Sequence, residues 1–362
     1  MTALQRTPLF DRHVRLGAKL ADFGGWEMPI EYSGTVGEHA AIRDAVGIFD
    51  VSHMGKVRIT GPGALDFVNG IVANDVHRIA DGQAQYSMVC TEDGGIIDDL
   101  IVYRFGPEDI FIVPNASNAA AVVAVFRAAV PPPIHIADQH HERGIIAVQG
   151  PRSADVLEAL GLPTDHDYMA MVEAPWRDYR VLVCRTGYTG ERGFELIAPA
   201  ASLGELWDAL MVEVTAAGGT PAGLGARDTL RTEMGYPLHG QDISTSTTPV
   251  AAGLGWAVGW DKPAFHGRDA LLAVKAAGPD RRLRGVKVVG RGIPRPHMPV
   301  HRAGAQVGET TSGTFSPTLR QGIALAYLPV DIAVGDSVQV DVRGTLVDAE
   351  VVTPPFVPSH VR

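Results

Sequence analysis

The period of hydrophobic and polar positions changes several times along the chain. Alternation at period two, the mark of a strand with two different faces, runs through "QAQYSMVC" (83–90) and "GGIIDDLIVYRF" (94–105), joined by "TEDGG". It returns in "YRVLVCRT" (179–186) and "GFELIAPA" (193–200), joined by "GYTGER". Both read as hairpins with glycine-bearing turns. A period near 3.6 takes over in "ITGPGALDFVNGI" (59–71), with Leu65, Val68 and Ile71 on one side, and in "VQGPRSADVLEALG" (148–161). Pro62 and Pro151 suit a first helical turn, where a missing N–H costs nothing. Further helices are expected over 37–46, 116–129, 202–217 and 224–234, the last stopped by Gly235.

One strand poses a problem. Alternation sends Ile96, Asp98, Leu100 and Val102 to one face and Ile97, Asp99, Ile101 and Tyr103 to the other. Each face is apolar around a carboxylate, and burying a carboxylate without a partner is costly.

Strand, helix and hairpin occur twice in the same order, so a duplicated α/β unit is expected, with an antiparallel sheet and helices on one face. Aligning "GGIIDDLI" with "GERGFELI" sets Asp99 opposite Glu195, and packing about a pseudo-two-fold axis would bring both acids to a shared space. From about residue 281 the texture becomes six short β-rich runs split by Gly, Pro and Asp, which predicts a small C-terminal barrel. The stretch 275–282 is the expected boundary.

With 46% hydrophobic and 20% charged residues in 362, the chain can build full cores. Its formal net charge of −10 disfavours nucleic acid or an anionic membrane as the main partner. Cys90 and Cys184 sit in apolar strands and read as buried reduced thiols. The N-terminus lacks an apolar signal region, and the longest apolar run, 119–126, is too short to span a membrane, so a cytoplasmic protein is expected.

Among the polar motifs, His53 in "DVSHMGK" reads alone more readily as structural than catalytic. In "DQHHERG" (138–144) adjacent side chains should diverge, a poor metal site and a solvated turn. "GLGARD" (223–228) lacks the third glycine and the acid of a dinucleotide fingerprint. No Walker sequence, nucleophile elbow or zinc-binding helix is present. Acid–base chemistry without a metal remains. Glu195 and Arg227 could form a structural ion pair. They could instead grip a ligand edge with paired N–H donors and a carbonyl, such as a 2-amino-4-oxo pterin.

Seven stretches carry a resemblance: "TPLFDRHVRLGAKLADFGGWEMPIEY", "GIFDVSHMG", "YSMVCTEDGGIIDDLIVY", "IVPNASN", "CRTGYTGERGFEL", "PAGLGARDTLRTEMGYPLHGQD" and "TTSGTFSPTLRQGIALA". In this order, from Thr7 to Arg362, they resemble the T-protein, or aminomethyltransferase, family of the glycine cleavage system. The resemblance implies an α+β fold of three domains in a ring. Residues 1–50 with 140–245 would form one α/β domain, 51–139 extended by 246–275 a second, and 276–362 the barrel. It implies transfer of the methylene carbon of the aminomethyl group on lipoylated H-protein to tetrahydrofolate, a cosubstrate in the central hole. The products would be 5,10-methylenetetrahydrofolate, ammonia and dihydrolipoyl H-protein, with no metal.

Carried over by position, the resemblance makes Asp99 the essential acid. It assigns folate contacts to Tyr86, Asp99, Ile101, Tyr103, Asn115, Tyr188, Glu195 and Arg227, with Met54 in the same cavity and Tyr236 and Arg362 as weaker transfers. Glu195 and Arg227 would clamp the pterin. His266 departs from the pattern without touching the chemistry. Relatives on the same fold keep other readings open: a folate-dependent demethylase of a small methylated compound, or a non-catalytic folate-binding protein, whose K-G-C motif is missing here. For H-protein, a basic patch around the cavity mouth is expected from Arg281, Arg282, Arg284, Arg291 and Arg295, or else these are solvated surface. A monomer is expected.

Overall fold

In the computed structural model, which describes residues 3–362, the chain opens with α1 (Phe10–Arg15), the hairpin β1 (Lys19–Phe23) and β2 (Trp26–Glu31), α2 (Thr35–Asp44) and β3 (Gly47–Asp50). A second block comprises β4 (Val57–Thr60), α3 (Ala64–Asn69), β5 (Gln83–Cys90), β6 (Ile96–Gly106), β7 (Asp109–Pro114), α4 (Ala119–Ala129) and β8 (His135–Asp138). A third comprises β9 (Arg143–Gln149), α5 (Ser153–Ala159), β10 (Met171–Trp176), β11 (Tyr179–Cys184), β12 (Gly193–Pro199), α6 (Ala200–Ala216) and β13 (Thr220–Pro221), closed by α7 (Leu224–Met234). A long connection leads through α8 (Arg268–Ala277) into β14 (Arg281–Val288), β15 (Pro299–Arg302), β16 (Ala305–Ser316), β17 (Gln321–Pro329), β18 (Ser337–Val342) and β19 (Thr345–Val352). The last six strands close into a barrel in the order β14-β17-β16-β15-β18-β19.

The duplication is there, but shifted by one strand from the alignment of the two hairpins. The second block has sheet order β5-β6-β7-β4-β8, and the third repeats it as β10-β11-β12-β9-β13 with β3 inserted between β9 and β13. Strand β12, which carries Glu195, therefore matches β7, and Asp99 on β6 has no equivalence to Glu195. The alternation missed β10, "MVEAPW", where exposed Glu173 and Pro175 interrupt the pattern. As the end strand of its sheet, β10 tolerates a proline that a central strand would not.

Each sheet buries its outer face under helices. Val89, Leu100 and Val102 pack with α3 and α4, and Phe194, Leu196 and Ala198 with α5 and α6. The inner faces meet each other: Phe49, Ala147, Leu182 and Ile197 pack against Ala84, Tyr103, Phe111 and Val113. Strict alternation then decides where the acids go. Asp99, with Ile101 and Tyr103, faces the inter-sheet space, and so does Glu195, with Ile197. Both acids reach the same space by strand register, without being equivalent positions.

Helix α7 ties the barrel to this pair of sheets. Arg231, 1% exposed, donates to Asp242 at 2.7 Å and to Ser312 of β16 at 2.8 Å. Glu233, fully buried, accepts from Arg43 of α2 at 2.7 Å and from Thr318 beside the barrel strand at 3.0 Å. His39 first, then Ser316 and Arg43, hold its carboxyl down at about 2 despite burial. The segment between α7 and α8 closes the ring. Ile243, Leu254, Val258 and Leu271 pack on Met88, Cys90 and Ile96, while the Leu283 N–H reaches the Ala251 carbonyl at 2.9 Å.

The same segment fixes the turn before the two acids. Gly94 has φ +82°, and a Cβ on Gly95 would lie 1.9 Å from the Thr245 carbonyl oxygen. Only a bare backbone lets Thr245 approach while the Ile96 N–H bonds the Ser244 carbonyl at 3.0 Å. Gly95→Ala is expected to destabilise the fold by roughly 1–3 kcal/mol, the range for forced overpacking. Denaturant unfolding measures it, and an unchanged midpoint would show that the Thr245 contact does not constrain the turn.

Candidate functional site

Asp98 and Asp99 part company at the strand. Asp98 has no exposed surface and points to the α4 layer. It accepts the Asn115 backbone N–H at 2.8 Å, the Asn115 side-chain amide at 2.9 Å and the Asn118 side-chain amide at 2.7 Å. Asp99 points into the inter-sheet space. Its Oδ2 accepts from the Tyr86 hydroxyl at 3.0 Å and its Oδ1 from the Asn115 amide at 2.9 Å. Asn115 directly follows β7, whose Pro114 pairs with Leu100, so it falls across from Asp99 in register. One amide thus spans both carboxylates.

Burial raises the proton affinity of both acids, and the Asp99 charge raises that of Asp98 further. Asp98 is bonded only to donors, a pattern that suits an ionised carboxylate. Burial and the Asp99 charge push Asp98 up to about 8, and Asp99, facing the inter-sheet space, shares the surplus proton affinity of the pair.

Across that space stands Arg227, on the first turn of α7. Its guanidinium lies 4.7 Å from the Tyr188 ring centroid, and its Nη1 is buried without a hydrogen-bond partner. Burial lowers its pKa and the charge of Glu195 raises it, yet among the described residues no ion pair joins the two. Glu195 accepts instead from the Thr186 hydroxyl at 2.5 Å. A structural salt bridge would have closed to contact distance. Two opposite charges held near each other, each with a free edge, form a clamp for a third group.

Tyr188 links the two ends of the site. Burial raises its pKa; the Asp99 charge raises it further, while Arg227 lowers it. Its ring stacks on Tyr236 at 5.7 Å. Tyr86, Asp99, Tyr188 and Arg227 lie deep inside the molecule, yet each keeps some accessible surface, as groups lining an internal hollow do. Ile101 and Met54 pack at the edge of the inter-sheet core and are half-buried. Arg362 is exposed near Tyr168, whose pKa burial raises, Glu195 raises further and Arg362 lowers.

One assigned contact sits behind the others. Tyr103 is 1% exposed within the inter-sheet core, and its hydroxyl meets Thr186 at 3.3 Å. It touches the hollow only through the Thr186–Glu195 pair. Sequence reasoning missed Asn118, Thr186, Tyr168, His239 and Trp256. His239, whose charge lowers the Asp99 pKa, donates from its Nε2 to the Ile96 carbonyl at 3.0 Å. Trp256 is 68% exposed and stacks on Tyr86 at 5.5 Å. The tryptophan-bearing run "GLGWAVGW" was the available signal for it.

Other polar features lie elsewhere. His140 and His141 do not diverge: they stack on each other at 5.2 Å and against Trp26, because the chain turns there and His140 bonds the His53 carbonyl. Among the described residues no three His, Cys, Asp or Glu side chains gather as a metal site. His53 is buried, its pKa pushed down to about 3 by desolvation. Cys90 and Cys184 are buried free thiols. The five candidate arginines do not share one patch. Arg281 and Arg282 begin β14, Arg291 and Arg295 follow its other end about 23 Å away at ~3.3 Å per residue, and Arg284 is half-buried between them. A cleft of about 650 Å³ between α8 and the barrel, lined by Thr247, Val274, Asp280 and Tyr327, contains none of the groups around Asp99.

With this geometry in hand, comparison with known proteins is consistent across the chain. A family model described as the GCVT N-terminal domain matches residues 9–262, and one described as the glycine cleavage T-protein C-terminal barrel domain matches residues 281–358. The aminomethyltransferase of Frankia alni is 59% identical over 365 aligned residues, covering 100% of both chains. That of Mycobacterium tuberculosis is 57% identical, covering 98% of this chain and 97% of its own. The crystal structure of glycine cleavage system aminomethyltransferase T from Bartonella henselae superposes with a TM-score of 0.93 at 35% identity, covering 99% of each chain.

The raised proton affinity of Asp99 has a sign that stability can read. A carboxyl with a folded pKa above its unfolded value makes the folded state bind more protons, so stability falls as pH rises through that window. Asp99→Asn removes this loss. Its thermal midpoint relative to the unmodified protein should climb as pH rises above the ordinary aspartate range, ~3.9. A pH-independent difference would mean that burial does not perturb Asp99.

Proposed function

The chain belongs to the aminomethyltransferase family, the T-proteins of the glycine cleavage system, and from that premise we propose how its hollow performs the transfer. The cosubstrate is tetrahydrofolate, and the donor is the aminomethylated lipoyl arm of H-protein. The observation that carries this reading is the unpaired Arg227 guanidinium held beside Glu195, with Asp99 at the other end of the same hollow.

A pterin edge presents two N–H donors to a carboxylate and a carbonyl to a guanidinium, which matches Glu195 and Arg227. With that edge fixed, the reduced ring and its N5 and N10 extend toward Asp99. In the reaction the donor methylene loses its bonds to amine and sulfur and gains bonds to N5 and N10. The two protons shed by the folate nitrogens leave on ammonia and on the dihydrolipoyl thiol. Asp99 orients the attacking nitrogen, stabilises positive charge developing there and takes its proton for relay. Burial helps, because a carboxylate of raised proton affinity is a better base near neutral pH. Tyr86, Ile101, Met54 and Tyr188 wall the hollow, exclude water and protect an iminium-like carbon from hydrolysis.

Residues Tyr236 and Arg362, beside Tyr188 and Tyr168, suit the outer part of the folate. The enzyme is taken as cytoplasmic and monomeric, a reading that the net charge of −10 suits.

The test is ammonia release from aminomethylated H-protein in the presence of tetrahydrofolate, run beside a small S-methyl or O-methyl donor. Release with H-protein alone is expected. Methyl transfer only from the small donor would assign a demethylase, and folate binding without either would assign a binding protein. Asp99→Ala should lower turnover at least ~100-fold, as for loss of a general base, while folate still binds. Glu195→Ala and Arg227→Met should weaken folate binding roughly tenfold or more, the worth of a hydrogen bond to a charged group. An unchanged folate dissociation constant in both would remove the clamp.

A further inference from the structure

The neighbouring acid, Asp98, takes no part in the mechanism above, yet it is the most heavily bonded side chain at the site. It is fully buried, and all three of its donors come from residues 115–118, the link between β7 and α4. The Asn115 amide that it grips also donates to the Asp99 side chain and to the Asp99 carbonyl, each at 2.9 Å. An amide has two hydrogens for these three acceptors, so one hydrogen is shared. Asn118 stands at the start of α4 but makes no capping bond to its helix; its side chain is spent on Asp98.

We propose that Asp98 is a positioning residue for the transfer: it locks the Asn115 amide, and through it the plane of the Asp99 carboxylate. With Oδ1 held by Asn115 and Oδ2 by Tyr86, the Asp99 side chain cannot rotate, and its remaining lone pairs face the hollow. Tyr86 alone would leave rotation about the strand free. Ionised, as its donor-only bonding suits, Asp98 sets a like charge behind Asp99. The other titratable groups around Asp99 are Tyr86 of β5, Tyr188 of the loop before β12, and His239, with Arg227 of α7 beyond Tyr188. Asp98 is the only further carboxylate in that set. It keeps Asp99 basic, while Asn115 and Tyr86 keep it aimed. This rests on Asp99 as the group that meets the folate nitrogen.

The experiment compares Asp98→Asn, Asn118→Ser and Asp99→Asn in full-length protein by turnover with aminomethylated H-protein and by tetrahydrofolate binding. Asp98→Asn turns a donor toward Asn115 or Asn118 and frees the amide. Turnover is expected to fall roughly 10- to 100-fold, in line with a misplacement of about 1 Å, with the folate dissociation constant within about threefold. The acidic limb of its turnover-versus-pH profile should move to lower pH, because a like charge beside Asp99 has gone. Asn118→Ser keeps a residue suited to a helix start and removes one of three donors, so it should show a smaller turnover loss in a folded protein. Full turnover in both variants, or a loss with an unmoved pH profile, would overturn the positioning role. Full turnover in Asp99→Asn would instead overturn the assignment of Asp99 itself, so the two failures are told apart.

Discussion

Two adjacent carboxylates on one strand repel each other; Asp98 has no exposed surface and Asp99 meets only the inter-sheet space. One asparagine spans them both. Asn115 bonds Asp98 through its backbone N–H and side chain, and bonds Asp99 through the same side chain. This arrangement depends on β6 and β7 being paired so that residue 115 falls across from Asp99. It depends equally on Gly94 and Gly95, which set where β6 begins against the Ser244–Thr247 segment. A slip of one residue would exchange the faces of the two acids.

The other half of the site hangs on α7. Its outer residues, Arg231 and Glu233, lock the helix between α2, the barrel and the connecting segment through buried charged contacts. Breaking such a pair by removing one partner costs several kcal/mol, so the helix has little freedom to turn. That rigidity presents Arg227 toward Glu195 without letting them close into an ion pair. The ring of contacts between sheets, connecting segment and barrel is what keeps two charged clusters apart across a hollow.

Much of this was legible in the sequence. The bounds of α7 and the six-stranded barrel follow from periodicity and turn residues; periodicity also groups Asp99 with Ile101 and Tyr103, but that this face turns inward rested on the family resemblance. The strand match of the duplication was not legible, because Pro175 and Glu173 hide β10 at the sheet end. The partners of Asp98 lie 17 and 20 residues away, across a strand pair and a helix start, and no local pattern announces such a contact. Tyr103 shares the face of Asp99, but the packing of Phe111 and Cys184 decides that it stays behind the hollow's wall. The stacking of His140 on His141 was equally hidden, since it needs Trp26 from a distant hairpin.

The account stands on one placement: which carboxylate meets the folate, and at which end. A crystal structure of the protein with a stable reduced folate, such as the 5-methyl or 5-formyl derivative, reads it directly. The pterin edge should lie against Glu195 and Arg227, with the N5–N10 side within hydrogen-bond reach of Asp99 and Asp98 still bonded to Asn115 and Asn118. A folate bound in the cleft between α8 and the barrel, or with its reduced ring turned away from Asp99, would contradict it.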